Sequence, residues 1–235
     1  MTMEKWGMFE LTLNGKKDGN PFLDYEIRGT FTHEKETLTV NGFYDGDGIY
    51  KICFMPSYEG EYQYRIFGSF CKEPTTGSFT VTPPSGNNHG PVRVSNKYHF
   101  AYADSIPHYS VGTTCYIFDL QEPSVREQTF RELEKGYFNK MRFCLLPKHY
   151  DFCLNDPPVF PFEGTPMDAS VLTRQNFMEY SGDAKGNDWD FTRLRPEFFR
   201  IHDKAIERLM ELCIEADLIL FHAYDRWGFS TMPMV

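Results

Sequence analysis

Two short runs place side chains able to donate, accept and shuttle protons directly after apolar segments. Residues 141–151, MRFCLLPKHYD, begin with Met141, Phe143, Cys144, Leu145 and Leu146, stop at Pro147, and then present Lys148, His149, Tyr150 and Asp151. Residues 218–225, LILFHAYD, repeat the arrangement with His222, Tyr224 and Asp225, followed by Arg226 and Trp227. A strand apolar along its body and polar only at its carboxyl end is expected in a parallel sheet covered on both faces. Barrels and open α/β sheets bind their ligands at those carboxyl ends. The chemistry suits a sugar. His, Asp, Lys148 and Arg226 hydrogen-bond hydroxyls, while Tyr150, Tyr224 and Trp227 offer ring faces to C–H-rich surfaces. The alternative is structural: histidines capping strand ends, and Asp225 pairing locally with Arg226.

Thr113, Thr114 and Tyr116 end an earlier strand and are placed on the same rim as pocket-floor candidates, although Thr is also simply a good strand former. Trp189, between Asp188 and Asp190, is either a sugar platform or a plug packing its loop onto the sheet. Two His and two Asp at neighbouring strand ends could ligate zinc, but no HxH or HExxH spacing supports a metal site. No nucleophile elbow and no glycine-rich phosphate loop is present, and no cofactor is expected. Glycoside hydrolysis needs two carboxylates about 5–5.5 Å apart for retention. No such pair can be nominated within these residues, so no catalytic residue is assigned in this chain.

The 235 residues are 41% hydrophobic and 24% charged, the balance of a globular protein of one or two domains. A net charge of -9 without any Lys/Arg block argues against nucleic-acid and anionic-membrane partners. Aromatics reach 17%, with 22 Phe and 14 Tyr, an excess that fills cores and suits stackable ligands. The start, MTMEKWGMFEL, lacks a basic n-region and an apolar run, and no stretch approaches about 18 apolar residues. The six cysteines show no CxxC spacing and read as free thiols of a reducing compartment. A cytoplasmic location is therefore expected.

Residues 6–82 read as short alternating strands at 6–13, 23–32, 37–44, 48–55, 61–67 and 77–82. Turn chemistry at Asn14-Gly15, Gly19-Asn20-Pro21, Asp45-Gly46-Asp47-Gly48 and Glu59-Gly60 separates them. This pattern predicts an immunoglobulin-like β-sandwich over 1–84. Residues 83–91, PPSGNNHGP, are the clear linker, and a hairpin turning at Ser95-Asn96-Lys97 completes an entry segment over 85–108. From 109 the periodicity changes. A strand at 110–116 precedes a helix at 125–138, opened by a Ser124/Glu127 capping box. The strand at 141–147 and a long excursion at 148–194 follow. A second helix opens at Pro196, with Phe199, His202, Ile206, Leu209 and Cys213 on one stripe, and leads into the strand at 218–224. The result is a β-α-β-α-β run with parallel strands. Three strands and two helices leave open edges, so the chain is expected to be an N-terminal part of a longer protein, or a piece completed by a partner or a second copy. His33 and the Asp45/Asp47 turn are expected to be solvated.

Several motifs together resemble a group of bacterial proteins classed as glycoside hydrolases. They are GFYDGDGIYKICFMP (42–56), GEYQY (60–64), HGPVRVSNKYHFAYADSIPHYSVGTTCY (89–116), FNKMRFCLLPKHYD (138–151), WDFTRLRPEFF (189–199) and FHAYDRWGFS (221–230). In that group an immunoglobulin-like domain of unknown function precedes an apiosidase-like (β/α)8 barrel. The resemblance implies that residues 109–235 are the first three β/α units of a TIM-type barrel. It also implies a retaining glycosidase whose acid/base glutamate, in an Asn-Glu at the next strand end, falls just beyond Val235. Lys148, His149, Tyr150, His222, Asp225 and Trp227 then match the substrate side, with an oligosaccharide or glycoside as ligand. Asp104-Ser105 departs from the group's Asp-Gly, at a turn. The other readings are a non-catalytic carbohydrate-binding or assembly module and a metal-dependent hydrolase.

Overall fold

The computed structural model describes residues 1–147, 155–165 and 188–221. It is rich in β-structure, with few helices, and divides into two compact units, Met1–Tyr109 and Ser110–Val235.

In the first unit, β1 (Thr2–Glu4), β2 (Phe9–Asn14), a one-turn helix α1 (Pro21–Asp24), β3 (Ile27–His33), β4 (Glu36–Asn41), β5 (Phe43–Tyr44), β6 (Ile49–Phe54), β7 (Gly60–Gly68) and β8 (Thr75–Thr82) follow in order. They pair as a five-stranded sheet, β1-β8-β7-β3-β4, and a three-stranded sheet, β2-β6-β5. Every pair is antiparallel except β1 with β8. Alternation explains the layering. Phe9 from the small sheet and Ile27, Phe31, Tyr62, Ile66 and Phe79 from the large one point inward and share one core with Tyr50, Ile52 and Phe54. Phe31 stacks on Phe54 with centroids 4.1 Å apart and planes at 6°, and Phe9 stacks on Phe79 at 4.6 Å. The Tyr64 ring crosses the strand pair where Gly77 stands. A Cβ there would lie 2.4 Å from the Tyr64 hydroxyl, so the glycine makes room for the ring.

His33 belongs to this core, not to the solvated surface the sequence suggests. It is the last inward position of β3 and is 7% exposed. Its ring stacks on Tyr62 at 4.8 Å and on Tyr58 at 5.6 Å. The Tyr62 hydroxyl donates to Glu36 at 2.5 Å, and burial with that contact raises its pKa well above the usual range. Asp45 is likewise no free surface group, since Lys51 bridges it to Glu10 at 3.3 Å on each side.

The proline- and glycine-rich stretch after β8 is tied to β1. Glu4 accepts from the Ser85 amide at 2.9 Å, the Ser85 hydroxyl at 2.7 Å and the Asn88 amide group at 2.8 Å, and these donors hold its carboxyl below the ordinary value. Gly90, at φ 71°, lies flat beneath the Trp6 ring, where a Cβ would come within 2.4 Å. Beyond it, β9 (Val92–Ser95), β10 (His99–Tyr102) and β11 (Pro107–His108) form a small antiparallel sheet.

The second unit contains β12 (Gly112–Thr114), a 3-10 turn (Phe118–Leu120), α2 (Pro123–Leu133), β13 (Lys140–Cys144), β14 (Phe162–Thr165), β15 (Asp188–Leu194), α3 (Pro196–Glu211) and β16 (Glu215–Ile219). The strands β12, β13 and β16 pair side by side and parallel, as the β-α-β-α-β pattern requires. The last strand starts at Glu215, three residues before the sequence reading, and the first is shorter than expected. The long excursion carries the antiparallel pair β14–β15. The expected capping box does not form. Pro123 occupies the first helical turn and fixes the start, so Glu122 is the cap residue and Ser124 lies inside the helix. The stripe of α3 is carried by Phe198, His202, Ala205 and Leu209. Cys213 lies past the helix end at φ 57°. The Ile214 amide reaches the Leu209 carbonyl and the Cys213 amide reaches that of Met210. This is the Schellman arrangement that glycine usually closes. Among the described residues no helix is long and apolar enough to cross a membrane.

Ser105, in the turn where the resembling group carries glycine, has φ 76°. An L-residue held in the left-handed region costs about 1 kcal/mol relative to glycine. Ser105→Gly and Cys213→Gly are each expected to raise unfolding stability by about that amount in urea titrations.

Candidate functional site

The parallel register decides which chain segments can meet. Thr113 pairs with Met141 and Met141 with Ala216; Thr114 pairs with Arg142 and Arg142 with Asp217; Cys144 pairs with Ile219. The carboxyl ends Thr114, Cys144 and Ile219 therefore lie along one edge, where the chain leaves the sheet after each strand. Lys148, His149, Tyr150, Asp151, His222, Tyr224, Asp225 and Trp227 lie outside the described residues.

Three named candidates are described. Thr114 is exposed at the end of β12. With Thr113, Gln128, Thr129, Tyr137 and Phe138 it lines a cavity of about 490 Å³ between that strand and α2. Tyr116 is half-buried. Its carbonyl accepts the Cys144 amide at 2.6 Å, extending the strand-end contact, and its side chain packs against the Ile117, Leu120, Cys144 and Phe198 cluster. Trp189 lies in β15, with its ring tilted against Phe160 at 5.0 Å. Its indole N–H is buried and has no partner among the described residues.

A fourth feature at this edge escaped sequence reading. Asp119, in the 3-10 turn after β12, is 0% exposed and faces His202 of α3, which is 2% exposed. His202 Nδ1 lies 2.5 Å from Asp119 Oδ2. The imidazole is walled by the rings of Phe198 at 4.9 Å and Phe143 at 6.3 Å. Asp119 sits in FDL, which looks like an ordinary loop, and His202 looks like a polar interruption of an apolar stripe. Only their pairing across 83 residues makes either legible. The pair joins the turn after the first strand to the helix before the third.

The two faces of the sheet differ. Met141, Phe143, Ala216 and Leu218 pack with Phe130 and Leu133 of α2 and Ala205 and Leu209 of α3. Arg142 points the other way and donates from Nε and Nη2 to Asp217 at 3.0 and 2.9 Å; Lys140 pairs with Glu215 at 3.7 Å. The expectation of strands apolar on both faces is thus corrected at this level of the sheet. Arg142 stands in the middle of β13, and its charge is balanced by a carboxylate at the paired position. The helices are joined by Arg208, which donates to both oxygens of Glu127 at 2.8 and 2.7 Å while its guanidinium lies 4.1 Å over Phe130. That guanidinium holds the Glu127 carboxyl below the ordinary value. Glu127 serves this contact and not the cap.

Among the described residues no group of three or more His, Cys, Asp or Glu could hold a metal ion. The His and Asp set considered for zinc lies outside them. None of the five described cysteines is joined in a disulfide.

Comparison with known proteins gives the following. Residues 2–68 match a family described as a domain of unknown function, DUF5060. The structure is similar to a protein described as a "putative glycoside hydrolase" from Bacteroides vulgatus, at 39% identity and a TM-score of 0.85. The match covers 98% of this chain and 44% of that one, so the chain spans less than half the length of this relative. Pullulanase type I from Bacillus subtilis, complexed with maltose, aligns at 12% identity and a TM-score of 0.24 over 98% of this chain and 34% of that one. A pullulanase complexed with maltotriose from Anoxybacillus sp. aligns at 10% and 0.22 over 96% and 35%. These last two are too dissimilar in backbone to carry any argument. No curated protein matches the chain.

Removing His202 leaves the Asp119 carboxylate buried without its partner, a loss of about 3–5 kcal/mol for pairs of this kind. His202→Ala is expected to lower stability by about that amount in chemical denaturation. The Asp119→Ala/His202→Ala double variant should lose less than the sum of the two single changes.

Proposed function

We propose that this chain is the N-terminal portion of a carbohydrate-active enzyme that cleaves a glycosidic bond with two carboxylates, both beyond residue 235. The observation that carries the reading is the 39% identity to a protein described as a "putative glycoside hydrolase", sustained over 98% of this chain. In this reading residues 1–84 are an immunoglobulin-like sandwich and 85–108 an entry segment. Residues 109–235 supply the first three strands, β12, β13 and β16, of a (β/α)8 barrel.

The strand order supports it. Three parallel strands in sequential order, each followed or preceded by a helix on one face, are the repeating unit of such a barrel. Their carboxyl ends would then form one side of the substrate cleft. Lys148, His149, Asp151, His222 and Asp225 would hydrogen-bond sugar hydroxyls there. Tyr150, Tyr224 and Trp227 would stack on ring faces, with Thr114 and Tyr116 below and Trp189 flanking. The first glutamate would act as general acid and then base, the second as nucleophile, with retention of configuration. The reaction needs no cofactor and takes an oligosaccharide or glycoside.

The test is turnover on a panel of aryl glycosides and polysaccharides. The purified 235-residue chain is expected to release nothing above the blank, and a chain carried in frame to the length of the Bacteroides protein to release sugar. Glu→Gln in the first Asn-Glu after the next apolar strand should lower kcat about 10²–10⁴-fold. Turnover by the 235-residue chain contradicts this placement of the carboxylates. A natural stop after codon 235, with saccharide binding retained, selects the non-catalytic binding or assembly module instead.

A further inference from the structure

The solvent face of the five-stranded sheet carries an arrangement that the proposed activity does not use. Outward positions of β7 are Glu61, Gln63, Arg65 and Phe67, alternating with the inward Tyr62, Tyr64 and Ile66. Register places Thr30 and Thr76 on either side of Arg65, and Thr32 and Ser78 on either side of Gln63. The Thr30 hydroxyl meets that of Thr39 on β4 at 3.0 Å, continuing the row. These side chains line a groove of about 670 Å³. Among the described residues the side chains of Glu61, Gln63 and Arg65 have no hydrogen-bond or ion-pair partner. Phe67, one step further along the same strand, is 49% exposed.

We propose that this groove is a second carbohydrate site, taking a short uncharged oligosaccharide laid along β7. Both edges of β7 are already paired, with β3 and with β8, so the groove cannot take a peptide as an added strand. Recognition must come from side chains alone. Four hydroxyls, with an amide and a guanidinium that have no partner among the described residues, form a two-way donor and acceptor surface, the complement of a polyhydroxylated ligand. Glu61 and Arg65 stand at opposite ends of the polar stretch and cancel, which disfavours a polyanion or a polycation. Phe67 supplies the apolar ring for the C–H face of a terminal sugar. From Glu61 to Phe67 the strand runs roughly 20 Å, the reach of an oligosaccharide and not of a single sugar. All these residues lie in the Met1–Tyr109 unit, so the site is separate from the strand-end candidates of Ser110–Val235.

Affinity electrophoresis of the full 235-residue chain through gels containing xylan, glucomannan, galactomannan or polygalacturonate tests it. At least one neutral polysaccharide is expected to retard the chain. Gln63→Ala/Arg65→Ala is expected to weaken that binding at least tenfold, with Tm unchanged because both residues are exposed, and Phe67→Ala to weaken it further. Trp227→Ala should leave it intact. No retardation by any neutral polysaccharide overturns the proposal. So does retardation by polygalacturonate alone, retardation unaffected by the double variant, or retardation abolished by Trp227→Ala.

Discussion

Parallel pairing of Thr114 with Arg142, and of Arg142 with Asp217, fixes where everything else in the second unit can go. A parallel ladder cannot be closed by a tight turn. Each strand must therefore be joined to the next by a crossover, and α2 and α3 fill that role. Both helices lie on the face that carries Met141, Phe143, Ala216 and Leu218. The opposite face is held by the Arg142–Asp217 and Lys140–Glu215 pairs. Pairing also commits all three carboxyl ends, Thr114, Cys144 and Ile219, to one edge. The buried Asp119–His202 contact ties the turn after β12 to α3.

The first unit is organised by aromatic packing. Phe9, Phe31, Phe54, Tyr62 and Phe79 interlock at centroid distances of 4.1 to 6.4 Å. The polar ends of buried tyrosines are satisfied, Tyr62 by Glu36 and Tyr50 by the Lys16 carbonyl. Burial pushes the Tyr50 hydroxyl up to about 12. Glu4 and Trp6 pin the stretch that leaves β8, so a composition that looks like a free linker is a docked segment. The same packing leaves the outer sheet face free of structural duty, which is why its unpartnered polar side chains are of interest.

Much of this architecture is legible in the sequence where period and punctuation agree. Strands β3, β6, β7 and β8 alternate cleanly, and the Asp45–Gly48 turn has three successive residues at positive φ. The parallel order follows from strand and helix spacing. Failures came where a residue's partner is distant. His33 looks like surface until Tyr58 and Tyr62 are seen on its ring. Ser124 and Glu127 have capping-box spacing, yet Pro123 starts the helix earlier and Arg208 claims the glutamate. Arg142 looks like an isolated charge inside an apolar run because its carboxylate lies on a strand 75 residues away. Asp119 carries no local signal, and the helical stripe places His202 on the buried face without showing its partner.

The proposed strand-end site requires that the segments leaving β13 and β16 meet over one ligand. The chain holds three tryptophans, Trp6, Trp189 and Trp227, so its indole N–H resonances form a sparse and assignable spectrum. Titrating the Gln63→Ala/Arg65→Ala variant, whose β7 groove is disabled, with an oligosaccharide that it still binds, with and without His149→Ala, tests this directly. If the two segments share one ligand, the Trp227 resonance shifts on titration, Trp6 does not, and His149→Ala weakens the Trp227 shift at least tenfold. A Trp227 resonance that stays still, or one that shifts with undiminished affinity in His149→Ala, would contradict it.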